Sequence, residues 1–456
     1  MTMLKNISPV DGRYKEKTED LSQFFSEFAL IKYRHYVEVQ WVIELSKHNI
    51  CPNINDKDEF FLQSLCQDFS QEDAKKVKKI EEKTGHDVKA VEYYLQEQFK
   101  QNSRLEILIP YIHFNCTSED INNCAYSLMI KNAITEITIP TFKKLLKQLA
   151  KLSSHHAHHP LLSLTHGQPA TPTTIGKEFA IFGHRMHQRF LSLSTHIYQA
   201  KFNGAVGNFN AHYFVYPEID WKAVSKSFLT GIGLTMNPFT TQIDPHDSLC
   251  SLFQCLQHTS LIGIDLSTDV WGYISRSLFS LKIPVDQVGS STMPQKINPI
   301  HFENAEGNYK IAISMLDGLI SNLPRSRWQR DLSDSTQMRN IGVILAHFQI
   351  AQKSLIHGLS QLHLNEDHCF MELNHAWEVL AEPLQLYLKK IGIEGAYEMI
   401  KKQTQGKKMD APLYQSMVKD LNLSEHHQEK LLALSPDKYL GIASELAMQF
   451  TKEIEL

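Results

Sequence analysis

The amino-acid sequence predicts an all-α fold: three helical domains, the central one a bundle of long helices that forms the core of an oligomer. Three observations carry this expectation. Apolar residues recur at three-four spacing along nearly the whole chain, one long segment is apolar on most of its sides, and 456 residues suggest two or three domains. From Glu19 to His48, residues Leu21, Phe24, Phe25, Phe28 and Ile31, then Val39, Val42 and Leu45, mark one helical face. Thr117 followed by Asp120 reads as a capping box, opening a helix that carries Ile121, Ala125, Leu128, Met129, Ala133, Ile134 and Ile137, with Pro140 set to kink or restart it. The segment His246 to Leu281 is apolar all round, including Leu252, Phe253, Leu256, Leu261, Val270 and Trp271. Such a helix must be covered on most sides, and within one bundle a side would stay wet, so neighbouring chains are expected to cover it. Turn chemistry places boundaries near Cys116 and near Asn365, giving domains 1–115, 116–364 and 365–456.

Composition excludes several function classes. A net charge of −4, from 46 basic and 50 acidic residues, does not describe a nucleic-acid binder. The opening residues hold no apolar run of signal-peptide length, and no segment strings together 18 uncharged apolar residues, so a cytoplasmic protein with no membrane partner is expected. The seven cysteines form no CxxC pair, which fits free, buried thiols rather than a metal or disulfide framework.

Three stretches interrupt the helical pattern with Gly, Pro, Ser and Thr: Asn6 to Tyr14, Leu164 to Gly176, and Val288 to Pro299. In a helical scaffold such loops are where chemistry is mounted, because helices fix their ends. In the last of them Ser290 and Ser291 follow Gly289, and Lys296 and Asn298 add a cation and an amide donor, which suits an anion. The order G-x4-G-K of a phosphate loop is missing, and Gly231 to Met236 lacks the third glycine of a dinucleotide site. Arginine is scarce, 10 residues against 36 lysines, yet four of the ten, Arg325, Arg327, Arg330 and Arg339, fall within fifteen residues. That concentration suggests bidentate recognition of carboxylate or phosphate.

GSSTMPQKINP at Gly289 to Pro299 resembles the signature loop of the fumarase/aspartase superfamily of β-eliminating lyases. SPVDGRY at Ser8, HDVKAVEY at His86, CTSEDINN at Cys116, THGQPATPTTIGKE at Thr165 and SRWQRDLSDST at Ser326 are similar to blocks of the adenylosuccinate lyase family of the long bacterial type, in the same order. The resemblance implies removal of fumarate from succinylated purine nucleotides without metal or cofactor. It implies Ser290 as base, with Lys296 and the loop N–H groups supplying donors and positive charge to its alkoxide, His166 as acid, Glu303 orienting that histidine, and Asn298 and Ser291 holding the developing aci-carboxylate. Substrate binding falls to Arg13, Tyr14, His86, Asp87, Thr117, Ser118, Gln242, Asn304, Arg330, Ser335 and Arg339. It further implies a homotetramer with three subunits at each site. Gly85 and Gln295 depart from the family's asparagine and histidine. Related lyases of other substrates, or a non-catalytic scaffold, fit the purine-type blocks and the joint retention of Ser290, His166, Lys296 and Glu303 less well. Outside the resemblance, His155, His156, His158 and His159 read as a solvated helix end rather than a metal site.

Overall fold

A computed structural model describes residues 3–282, 292–293 and 295–454. Helices dominate as expected. Among the described residues, strands form three two-stranded ladders: β1 (Pro160–Thr165) antiparallel to β2 (Gln168–Thr174), β3 (Gln199–Ala200) parallel to β4 (Thr235–Met236), and β5 (Phe279–Leu281) antiparallel to β6 (Leu362–Leu364). The chain divides into two compact units. The first comprises Met1–Thr141, Arg189–Leu261 and Gly307–Lys353, the second Phe142–Gln188, Ile262–Glu306 and Ser354–Leu456. The long helices Ile139–His155, Ile175–Ser194, Asp247–Ser275, Ile300–Asn322 and Ile341–Ser360 contribute residues to both.

In the first unit, the helix Glu27–Lys47 packs against Ser118–Ala133 and Asp87–Lys100. It begins later than the apolar spacing predicts, because Ser26 is extended and its hydroxyl accepts the Ala29 N–H at 3.1 Å, a helix cap that leaves Ser22–Phe25 as a separate turn. The capping box at Thr117 is present: its N–H donates to Asp120 Oδ2 at 2.8 Å. At Pro140, which has no N–H, the i→i+4 ladder gives way to a π-helical turn at Ile134–Thr138, in which the Ile139 N–H reaches Ile134 O. Trp41, fully buried, stacks near Phe202 at 4.5 Å and Phe228 at 5.2 Å.

In the second unit, the C-terminal helices close over Leu380, Leu384, Leu388, Tyr414 and Val418, and Leu162 of β1 joins them. The helix from Asp247 ends at Ser275, short of the predicted Leu281. Ser277 turns left-handed at φ 62°, and the next apolar residues pair as β5 with β6. Leu261 and Trp271 remain 51% and 47% exposed in the single chain. Of the histidine run, His155 and His158 are exposed, but His156 is buried and His159 reaches Glu366 at 3.2 Å.

His35 is fully buried in the first unit against Phe69, with Nε2 2.9 Å from Gln98 Oε1. Burial pushes its pKa down to about 4. The unfolded chain therefore binds the extra proton between about pH 6.5 and pH 4, and stability falls as the pH drops through that window. Denaturant unfolding should show a loss on the order of 3 kcal/mol from this residue between pH 7 and pH 4. His35→Phe should flatten that slope, and an unchanged slope would remove His35 as its source.

Candidate active site

Several of the expected substrate-binding residues of the first unit, Asp87, Arg330 and Arg339 among them, are joined by charged contacts. His86 caps the Asp87–Lys100 helix, its Nδ1 accepting the Lys89 N–H at 3.3 Å. That bond leaves Nε2 to donate, and it points to Ser118 Oγ at 3.5 Å. Asp87 Oδ2 takes hydrogen bonds from Arg34 at 2.7 Å and from Arg339 at 3.2 Å. Burial opposes its charge, but the Arg34 guanidinium, with Arg339, holds the carboxyl below its ordinary pKa. Arg34 Nε donates to Asn122 Oδ1 at 2.8 Å, and Asn122 donates to Glu119 at 3.4 Å. Glu119 accepts Arg330 Nη2 at 3.3 Å, while Arg330 Nη1 donates to Asp334 at 2.8 Å. The Ser335 N–H closes on Asp334 Oδ1 at 2.7 Å. Gln242 joins the same segment, its N–H donating to Gln329 O at 3.2 Å. Arg13 is exposed and Tyr14 half-buried on the opening turn, and their neighbours Asp11 and Lys15 line a cleft with Arg339.

Thr117 and Ser118 are placed by a buried ion pair. Lys201 Nζ lies 2.9 Å from Asp120 Oδ1, with the two side chains 0% and 1% exposed. Asp120 also accepts the N–H groups of Asn203 and Gly204, and Asn123 bonds both the N–H and the C=O of Lys201. Gly85, in place of the expected asparagine, ends the Gln71–Thr84 helix at φ 66° with open space where a Cβ would sit. Either residue suits that left-handed position.

The second unit holds the expected acid, His166. His166 and Gly167 form the two-residue loop between β1 and β2, with φ of 53° and 72°, the backbone of a type I′ turn. His166 is therefore exposed at the tip of a hairpin whose base is fixed. There the Gly176 N–H donates to His156 O at 2.9 Å, and a Cβ at Gly176 would collide with Ser153 O. Ser290 and Ser291 lie outside the described residues. Lys296 is exposed and Asn298 half-buried; Asn304 accepts Ser354 Oγ at 2.8 Å. Glu303 accepts Trp271 Nε1 at 3.3 Å, and no hydrogen bond or ion pair among the described residues joins it to His166. Gln295 is exposed.

Sequence reasoning missed Arg34, Glu119, Asn122, Asp334 and His246. Glu119, Asn122 and Asp334 stand inside the quoted blocks, and their burial was the missing signal. Arg34 hid within an apolar helical stripe. His246 carries a left-handed backbone at φ 62°, its ring only 3% exposed.

A family described as "Lyase" matches residues 12–311, and one described as "Adenylosuccinate lyase C-terminal" matches residues 326–440. Adenylosuccinate lyase of Escherichia coli (strain K12) is 45% identical over 449 residues, covering 97% of this chain and 98% of that protein. The protein of that name from Buchnera aphidicola subsp. Acyrthosiphon pisum (strain APS) is 44% identical over 98% of both chains. Among solved structures, fumarate lyase from Mesorhizobium sp. BNC1 superposes with a TM-score of 0.76 at 17% identity, covering 95% of this chain and 98% of that one. The 3-carboxy-cis,cis-muconate lactonizing enzyme from Pseudomonas putida gives the same score at 17% identity, covering 96% and 97%. At that identity these two structures establish the shared fold alone. Among the described residues, no helix is long and apolar enough to cross a membrane.

Lys201→Met leaves the Asp120 carboxylate buried without its counter-ion. Denaturant unfolding should register a loss of about 3–5 kcal/mol. A loss below about 1 kcal/mol would mean that the pair does not hold this loop in place.

Proposed function

The chain belongs to the adenylosuccinate lyase family, and from that membership we propose that it cleaves adenylosuccinate to AMP and fumarate. We propose the same β-elimination for the succinyl-aminoimidazole-carboxamide ribotide of purine biosynthesis, which gives the carboxamide ribotide. The observation that carries this reading is the contact chain from Arg339 through Asp87, Arg34, Asn122 and Glu119 to Arg330. Along it Asp87, Arg330 and Arg339 are joined, with Ser335 held through Asp334 and Ser118 next to Glu119, so charged and hydroxylic donors gather for a substrate bearing two carboxylates and a phosphate.

The family resemblance supports the remaining roles, and each suits the chemistry. A proton leaves the carbon beside a carboxylate, giving a doubly charged aci-carboxylate, and an acid protonates the departing nitrogen. Ser290 takes the proton, which requires donors and positive charge around its oxygen, and Lys296 supplies that charge. Asn298 and Ser291 hold the aci-carboxylate. His166 protonates the nitrogen, its reach set by the hairpin tip, and Glu303 orients its ring. Arg13, Tyr14, His86, Thr117, Gln242 and Asn304 complete substrate binding.

In this reading three subunits of a homotetramer build each site. The exposed apolar residues Leu261 and Trp271 on the Asp247–Ser275 helix support such packing. We assign 1–115, 116–364 and 365–456 as domains. Asn365, which caps Glu366–Asn374, supports the second limit. All seven cysteines are free, which supports a cytoplasmic location.

Purified protein incubated with adenylosuccinate should release AMP and fumarate in equal amounts. No product from an intact tetramer would overturn the assignment. Ser290→Ala and His166→Ala should each lower kcat by at least about 100-fold while substrate still binds. Near-native turnover in either variant would reassign that role.

A further inference from the structure

Arg330 is gripped from two sides, and neither gripping residue has been given a role above. Glu119, in the first turn of Ser118–Ala133, takes Nη2, and Asp334, in the turn Ser333–Met338, takes Nη1. The two carboxylates are each 9% exposed and the arginine side chain 19%. Both are held in turn. Asn122 donates to Glu119, the Ser335 N–H fixes Asp334 Oδ1, and His246 Nε2 stands 3.6 Å from Asp334 Oδ2, within ion-pair range. Behind them lies a small cavity that Asp244 and His246 also line.

We propose that Glu119 and Asp334 are positioning residues that fix the Arg330 guanidinium for an anionic group of the substrate. This rests on the assignment of Arg330 to substrate binding made above. A guanidinium has five N–H donors in a rigid plane, so anchoring one hydrogen on each terminal nitrogen sets the direction of the others. An unanchored arginine would lose rotamer freedom at the moment of binding, and the anchors place that loss in the folding of the chain.

The arrangement also joins the arginine to a proton. The charged and titratable groups facing Glu119 are Arg330, Asp334 and His246, with Asp244 across the cavity. Burial, reinforced by Asp334 and opposed by Arg330 and His246, pushes the Glu119 pKa up to about 7. The protonated acid still accepts from Arg330 through its carbonyl oxygen and adds no negative charge beside the incoming anion. Ionised Glu119 keeps the hydrogen bond but repels that anion. KM should therefore rise as the pH passes through about 7, and Glu119→Gln, which mimics the neutral acid, should not show that rise.

The test measures kcat and KM for adenylosuccinate with the full-length enzyme. Glu119→Ala and Asp334→Ala should raise KM about tenfold and leave kcat within about twofold. Glu119→Gln and Asp334→Asn should recover most of that loss. Unchanged KM in folded alanine variants, or no rescue by the amide variants, would overturn the proposal. If the alanine variants do not fold, the pH profile decides. A rise of KM above about pH 7 that is identical in the native enzyme and Glu119→Gln would overturn it, and comparing the two cancels titration of the substrate itself. Arg330→Ala separates the two readings. Unchanged KM there sinks the role of Arg330 in binding, whereas a raised KM with silent Glu119 and Asp334 variants sinks only the positioning role.

Discussion

The buried ion pair of Asp120 and Lys201 is the constraint on which the first unit's site depends. Removing two charges from water is expensive, and the pair is tolerable only because its remaining lone pairs and protons are used. Asp120 accepts the Thr117, Asn203 and Gly204 N–H groups, and Lys201 also donates to Gly204 O. One carboxylate thus starts the Ser118–Ala133 helix and at the same time fixes the loop that follows β3. Every residue at that helix start inherits the arrangement: Thr117, Ser118, and Glu119, which reaches Arg330. Apolar substitutes of equal volume could fill the space, but they would offer no acceptor to three backbone N–H groups that converge from separate segments.

The same logic explains how a chain with a net charge of −4 can receive a strongly anionic ligand. Overall charge is a poor guide to a local field. Arg34, Arg330 and Arg339 stand among Asp87, Glu119 and Asp334, so each guanidinium is partly neutralised and oriented before any ligand arrives. Lysine would not serve here, since a compact ammonium cannot hold two carboxylates in a plane and still present a directed edge.

Helical spacing made the long elements legible, and turn residues marked the three loops. What escaped were features that periodicity cannot carry. Phe24, Phe25 and Phe28 keep a helical rhythm straight across the break at Ser26, so the cap was invisible beside the stripe. Leu278, Phe279 and Leu281 continue the apolar run of the preceding helix, and only their pairing with Leu362–Leu364 makes them a strand. In the site, block resemblance found the residues that present polar groups, such as Arg330 and Ser118. Glu119 and Asp334, inside the same blocks and next to Ser118 and Ser335, act through burial and partners distant in sequence, which a linear reading does not contain.

His166 shows the opposite case, in which a short motif fixes geometry completely. In a two-residue hairpin loop both positions take positive φ, and the second is nearly always glycine. THGQ supplies Gly167 there and places His166 at the first position, where an imidazole is among the better tolerated side chains. The strain is modest and is carried by a ladder anchored at Gly176 and by Leu162 in the C-terminal core. The hairpin backbone therefore sets where the His166 side chain leaves the chain. In the proposed role as acid, such a tip leaves the ring nitrogens open to the substrate and to the orienting carboxylate proposed for it.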